Sequence, residues 1–120
     1  PHLHIIGYPV SDELMPIYYK ASDVALIQRL HILNSGNVLM GLLMEKVVVG
    51  PDVGNVGTLL KEMGNPVFES NNSKSIASLI LNGIDDMRNG LGKRNRNFAV
   101  ENFGTSVVSE KLYNIYKFVK

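Results

Sequence analysis

Cysteine is absent from the 120 residues of this chain. Without thiols the protein has no disulfide framework, no thiolate ligand for a metal ion and no cysteine nucleophile. The absence also fits a reducing compartment, and we expect a cytoplasmic protein. Thiol chemistry is therefore excluded as the basis of its function.

Long apolar runs are missing as well. The longest, VLMGLLM at 38–44, is far shorter than the roughly 20 residues that span a bilayer. The opening PHLHIIGYP lacks the charged and then apolar pattern of a signal peptide. The sequence thus predicts neither a membrane span nor export.

Neither sign of charge is in clear excess, because the formal net charge is only +1. Such a balance argues against a dedicated nucleic-acid-binding protein. One local basic cluster occurs in RNGLGKRNR, with Arg88, Lys93, Arg94 and Arg96. We interpret it as a solvated helix face, which is the usual role of such runs.

What is present is an alternation of short and long elements in a chain of one-domain size, 45% of it apolar. Apolar runs predict strands over 2–7, 23–28, 46–50 and 66–69. Capping and periodicity predict six helices. The first ends at Lys20, the second starts near Gly36 and the third ends at Gly64. The fourth starts from a cap at Asn72 or Ser73, the fifth covers 85–102 with interruptions at Gly90 and Gly92, and the sixth starts from a cap at Thr105. We therefore expect an α/β domain with a Rossmann-like, doubly wound parallel sheet and C-terminal helices.

The last predicted helix carries an apolar stripe with helical spacing, consisting of Val108, Leu112, Ile115 and Val119. We expect this stripe to pack within the domain. Tyr113 and Phe118 lie on other faces of the same helix. The chain also enters an apolar stretch directly after Pro1, so we expect 1–120 to be one domain of a longer protein.

Ligands of such sheets bind beyond the carboxyl ends of the strands. The loops predicted there, GYPVSD, RLHILNSGN and GPDVGN, are rich in glycine and small polar residues, which indicates binding rather than catalysis. In NSGNV the helix would begin on small residues and leave its N–H groups open to an anion. An ordinary helix cap is the alternative interpretation. GPDVGNVG matches neither standard phosphate-binding fingerprint.

The remaining candidates for chemistry are few. His2 and His4 alternate on the first predicted strand but lack a third ligand, and Asp85 and Asp86 diverge on a helix, so we assign no metal site. His31 follows a predicted strand, where its imidazole could donate a hydrogen bond to a sugar hydroxyl. A loop histidine without a functional role is the alternative. Arg29 beside it could pair with a diphosphate or with a carboxylate.

Four segments together resemble the C-terminal, donor-binding half of GT-B glycosyltransferases, especially the large retaining group commonly called family 4. They are HIIGYPVSDELMPIYYKASDVALI, GNVLM, KVVVGPDVGN and NRNFAVENFGTSVVSEKLYNIY, and they cover nearly the whole chain. The resemblance implies a parent enzyme of hexosyltransferase type, as in polysaccharide biosynthesis. That enzyme would transfer a sugar from a nucleotide-sugar to a carbohydrate or lipid-linked acceptor without a metal cofactor.

The resemblance also implies site residues. The diphosphate would meet backbone N–H groups at the start of the second predicted helix, Arg29 would add charge, and His31 would lie on the same face. Tyr8 and Val10 would flank the base, and Gly54 and Asn55 would lie near the sugar. The N–H groups are those of Ser35, Gly36, Asn37 and Val38.

Two glutamates that family members usually carry are replaced here by Leu33 and Gly41. No catalytic residue is therefore assigned, and a non-catalytic nucleotide-sugar-binding module or a sugar-nucleotide epimerase stay open as alternatives. A receiver-type signalling domain is disfavoured because the expected acidic cluster is missing. The implied partners are an N-terminal domain of the same parent and, as an open expectation, the inner face of a membrane, but not nucleic acid.

Overall fold

The computed structural model describes residues 3–29, 31–69 and 72–118, and these form an α/β fold around a small parallel sheet. The sheet has the order β1-β2-β3. None of the described helices is long and apolar enough to cross a membrane. In chain order the elements are α1 (Met15–Ala21), β1 (Val24–Leu26), α2 (Gly36–Leu43), β2 (Val47–Pro51), α3 (Gly54–Glu62), β3 (Val67–Phe68), α4 (Ser73–Arg88), α5 (Leu91–Phe103) and α6 (Thr105–Lys117).

Helices cover both faces of the central strand β2, which is buried along its whole length. A β-carbon at Gly83 of α4 would contact Val47 and Val49 at 3.4 Å, whereas one at Gly41 of α2 would lie 2.8 Å from Val48 on the opposite face. The strand predicted for the β-branched run over 46–50 is therefore confirmed as β2. The main core lies on the α2 face and contains Ile27, Val38, Leu42, Val48, Val56, Leu60 and Ala99.

The strand predicted over 2–7 is not formed in the part of it that the structure describes. Residues 3–7 are irregular, and the side chains of Leu3 and Ile5 are 80% and 82% exposed. A strand needs a hydrogen-bonded neighbour, and no described residue pairs with the outer edge of β1. His2 lies outside the described residues. The three described strands also follow one another in sheet order, without the reversal that marks a doubly wound sheet.

Two predicted helix ends are confirmed in atomic detail. The side chain of Asn72 accepts hydrogen bonds from the N–H groups of Lys74 and Ser75 and so caps α4. Gly64 has φ +73° and donates its N–H to the carbonyl of Lys61, which terminates α3.

The boundary between α4 and α5 differs from the prediction. Helix α4 continues through both adjacent aspartates to Arg88, and Gly90, with φ +85°, separates it from α5. Gly92 does not interrupt α5, because it lies inside the helix where its missing side chain lets α5 approach the carbonyl of Glu45. One of the two predicted glycine breaks is thus a close-packing position.

Helix α6 buries none of its described residues. It packs against α5 and leaves the predicted stripe between 40% and 59% exposed at Val108, Leu112 and Ile115. The prediction that this stripe packs within the domain is wrong for these positions, since no described sheet or helix covers that side. Val119 lies outside the described residues. Thr105 is the first residue of α6 rather than its cap, a position that Gly104 holds.

A buried asparagine pair replaces part of the ladder between β2 and β3. Asn65 accepts the Val48 N–H at 2.9 Å, and the two side-chain amides of Asn65 and Asn95 exchange hydrogen bonds at 2.9 Å. The amide of Asn95 also donates to the carbonyl of Lys46 at 2.8 Å. Because β3 pairs only with the end of β2, these amides satisfy backbone groups that would otherwise be buried without partners.

Candidate functional site

A cavity of about 250 Å³ lies where α2 and α3 begin. Each helix is the next element of the chain after a parallel strand, so their first turns meet at the carboxyl edge of the sheet. The walls are mostly small or polar toward the helix starts and apolar deeper down. The lining residues are Asn34, Ser35, Gly36, Val38, Leu39, Asn55, Val56, Leu59 and Phe103.

The loop before α2 is fixed to the first turn of α3. Asn55 donates its side-chain N–H to Asn34 Oδ1 at 2.9 Å and its backbone N–H to the Leu33 carbonyl at 3.0 Å. Gly54 has φ +52°, and a β-carbon there would lie 3.0 Å from the carbonyl oxygens of Ile32 and Leu33. Glycine suits both the backbone conformation and the close approach, so Gly54 lets the two helix starts lie near each other without strain.

The start of α2 has N–H groups available for a ligand. Its N-cap residue, Ser35, makes no capping hydrogen bond through its side chain. The N–H groups of Gly36 and Asn37 have no protein partner within the described residues, whereas that of Val38 donates to the Ser35 carbonyl at 3.2 Å. The α3 N-cap also lacks a capping side chain. Two partially positive helix ends therefore point toward one region.

Arg29 lies beside this region in a second cavity of about 240 Å³. The cavity shares Ser35 with the first and adds the polar side chains of Gln28 and Asn37. Arg29 is exposed, so its planar donor group is accessible to an anion held at the start of α2.

The predicted site residues divide into two groups. The structure brings Arg29 and Asn55 to the start of α2, with Gly54 directly beneath the connecting loop. It places Tyr8, which is 72% exposed, Val10 and His31 outside both cavities. The residues that do line one or both cavities are Arg29, Ser35, Gly36, Asn37, Val38 and Asn55.

Tyr19 supports α2 from the side of α1. Its hydroxyl donates to the carbonyl of Asn37 at 3.4 Å. Burial raises the pKa of the Tyr19 phenol above its usual value. The hydroxyl is therefore protonated, and able to donate, throughout the physiological pH range.

No protein-family model matches the chain, and no curated protein or solved structure matches it significantly. Its relation to glycosyltransferases accordingly stays a prediction from the residues quoted above.

The described residues place no carboxylate in either cavity. Within the described ranges no aspartate or glutamate lines either of them, and no three metal-binding side chains are close enough together to hold an ion. Gly41, the position of one expected glutamate, faces the sheet, where a β-carbon would already crowd Val48. A glutamate there could not reach the cavity without displacing α2.

Five lining residues of the first cavity are not among the predicted site residues, and they are Asn34, Leu39, Val56, Leu59 and Phe103. Asn34 pairs with Asn55 across 21 positions of chain, and no local pattern predicts such a pairing. Phe103, at the end of α5, forms the outer wall and stacks edge-on against Phe98 with ring centroids 6.1 Å apart. Its place depends on how α5 packs on α2, which periodicity alone does not fix.

Proposed function

We propose that this chain is the C-terminal donor-binding domain of a GT-B glycosyltransferase and that it binds the diphosphate of a nucleotide-sugar. The observation that carries the proposal is the meeting of the uncapped starts of α2 and α3 at one cavity. Helix starts bind phosphate because their N–H groups and their dipoles both favour negative charge. On this proposal the three described strands belong to a larger, doubly wound sheet.

The diphosphate would be held by the N–H groups of Gly36 and Asn37, with Arg29 contributing a paired set of donors. A helix dipole contributes on the order of 1 kcal/mol to binding in a partly buried site. Asn55 would lie near the sugar. As the glycosidic bond breaks, these donors stabilise the negative charge that develops on the leaving diphosphate, without a metal ion.

A second domain is part of this proposal. The accessible surface is 8718 Å², whereas a folded monomer of 13.3 kDa is expected to expose about 6,500 Å². The surplus includes the exposed side chains of the irregular N-terminal stretch and the apolar face of α6. In the proposed parent, an N-terminal domain covers part of this surface and holds a carbohydrate or lipid-linked acceptor in the cytoplasm, at or near a membrane.

The chain alone is then expected to bind nucleotide weakly and to transfer no sugar. One wall of a cleft cannot exclude water or align an acceptor, and alignment accounts for roughly 7–11 kcal/mol of a barrier. Any catalytic acid or base would come from the other domain or from the acceptor.

A non-catalytic nucleotide-sugar-binding module is the second candidate. The lack of a lining aspartate or glutamate within the described residues favours it. Product formation by the full-length parent, given donor and acceptor, separates the two functions. Incubation of the parent with donor alone tests for an epimerase, since epimerisation needs no acceptor.

The site is tested by replacing Gly36 with valine. A β-carbon at Gly36 meets no atom within 4 Å, so the fold should tolerate the change. The side chain would obstruct the approach of phosphate to the α2 start. Losing a charge-assisted hydrogen bond of about 1.5–3 kcal/mol should weaken binding by about tenfold or more.

The measurement is calorimetric titration with UDP, GDP and ADP, because the base is not assigned. Gly7→Val is the matched control, since Gly7 also has open space around its α-carbon but lies in the irregular N-terminal stretch. Equal affinity of Gly36→Val and Gly7→Val for every nucleotide would contradict the proposal.

A further inference from the structure

A separate cavity of about 250 Å³ opens at the other edge of the sheet, before β1 and β2 begin. It is lined by three cations and one carboxylate, with two methionines between them. These residues are Lys20, Met44, Glu45, Lys46, Met87 and Arg96. Its composition differs from that of the first cavity, whose described lining residues include no charged side chain.

Lys46 is the unusual member of this group, because it is only 8% exposed. Its ammonium group makes no hydrogen bond or ion pair with any residue in the described ranges. That nitrogen is nevertheless not sealed off, since the described residues contain no fully enclosed side-chain nitrogen or oxygen without a partner. A mostly buried cation that still reaches a cavity is stabilised when an anion enters.

The one carboxylate of the cavity already has a partner. Glu45 Oε1 lies 3.7 Å from Arg96 Nε, and Arg96 Nη1 donates to the Leu43 carbonyl at the end of α2 at 3.2 Å. Lys20 lies in the last turn of α1, where a cation offsets the partial negative charge of the helix end. These contacts leave the positive charge of Lys46 uncompensated.

Lys46 is also held firmly in place. Its carbonyl accepts the buried amide of Asn95 at 2.8 Å, and its N–H donates to the Gly41 carbonyl at 2.9 Å. The next residue enters the buried strand β2. The Lys46 side chain therefore starts from a backbone position that hydrogen bonds hold in place, which favours a preformed anion site.

We infer that this cavity binds a phosphate group, with the ammonium of Lys46 at its floor and Lys20 and Arg96 at its mouth. The volume is just below the usual range of about 300–1,000 Å³ for sites of drug-sized ligands, which suits inorganic phosphate or a small phosphorylated molecule. The site is independent of the donor site proposed above. It lies at the opposite ends of the same parallel strands.

The test is a titration of the isotopically labelled chain with inorganic phosphate, followed by ¹H–¹⁵N NMR. Saturable shifts at the amides of Glu45, Lys46 and Arg96 are expected. Lys46→Met should weaken binding at these amides by about tenfold or more, since a charge-assisted contact is lost. Methionine keeps the length of the apolar stem beside Met44 and Met87.

Lys74→Met is the matched control, because Lys74 is exposed at the far end of α4 from Met87. Its phosphate affinity should equal that of the unmodified chain. If Lys46→Met fails to fold, Lys20→Met at the exposed mouth takes its place, with a severalfold loss expected from removing one of the cations.

Three outcomes would overturn the inference. They are no saturable shift at Glu45, Lys46 and Arg96, unchanged affinity in the folded lysine variant, or phosphate shifts confined to the start of α2 and abolished by Gly36→Val. Nucleoside diphosphate binding at α2 is expected to be the same with and without Lys46, so failure at one cavity is distinguishable from failure at the other.

Discussion

Gly54 has no side chain, and this absence lets the loop before α2 approach the first turn of α3 at the candidate site. The positive φ of Gly54 strains any other residue, and a β-carbon would lie only 3.0 Å from the carbonyl oxygens of Ile32 and Leu33. Glycine therefore lets the loop ahead of α2 lie against the start of α3 without strain.

Gly54→Ala is expected to lower the free energy of unfolding by about 1–3 kcal/mol, because it forces a non-glycine residue into the left-handed region against two carbonyls. Urea denaturation measures the loss. Gly36→Ala is the matched control and should change stability by less than about 1 kcal/mol, since its β-carbon has open space. Similar stability of the two variants would show that the close approach at Gly54 is not needed.

The asparagine pair is the other residue-scale feature that carries stability. Asn95→Ala leaves the Lys46 carbonyl and part of the Asn65 amide buried without partners, and each such group costs about 1–3 kcal/mol. We expect a loss of about 2–4 kcal/mol in thermal or urea unfolding. Asn97→Ala, two positions along α5 and exposed, should stay within about 0.5 kcal/mol of the parent chain. A small effect at Asn95 would mean that water replaces its amide.

Neither asparagine was predictable as a buried residue. Asn95 lies among arginines and a lysine that are correctly predicted to face solvent, and nothing local separates it from them. Its burial depends on where α5 crosses β2, which is a tertiary property. Asn65 likewise follows the end of α3. It is placed to hydrogen-bond the β2 backbone only because β3 begins two residues later.

At the scale of elements, prediction succeeded where local chemistry is decisive. The β-branched run of β2, the glycine that ends α3 and the Asn72 cap of α4 each have a physical cause within a few residues. The N-terminal strand and the buried stripe of α6 failed for another reason. An apolar pattern indicates which face would be buried, but not whether a neighbour is present to bury it.

Helix α6 should accordingly tolerate a charge on its apolar stripe. Leu112→Lys is expected to change the free energy of unfolding by less than about 0.5 kcal/mol, because the side chain is already half exposed. Leu42→Ala in the buried face of α2 should cost about 2–5 kcal/mol. The two variants, compared by urea denaturation, test whether α6 contributes to the core. A large loss from Leu112→Lys would place that helix against a surface that it does not contact here.

The whole molecule is elongated for its size. Its radius of gyration is 15.8 Å, whereas a compact domain of this length is expected to measure about 14 Å. The longest dimension is 59 Å against 32 and 29 Å for the others. This shape, with a sheet edge and an α6 face that no described residue covers, agrees with the proposal that the donor-binding wall works together with a second domain.

We propose that the starts of α2 and α3 receive a nucleotide diphosphate. The most direct measurement of this binding is an ¹H–¹⁵N NMR titration of the chain with UDP, GDP and ADP in turn. We expect at least one of them to produce saturable shifts that are largest at the amides of Gly36, Asn37 and Asn55 and absent at Leu112 of α6. Shifts that centre elsewhere, or none with any of the three nucleotides up to their solubility, would contradict it.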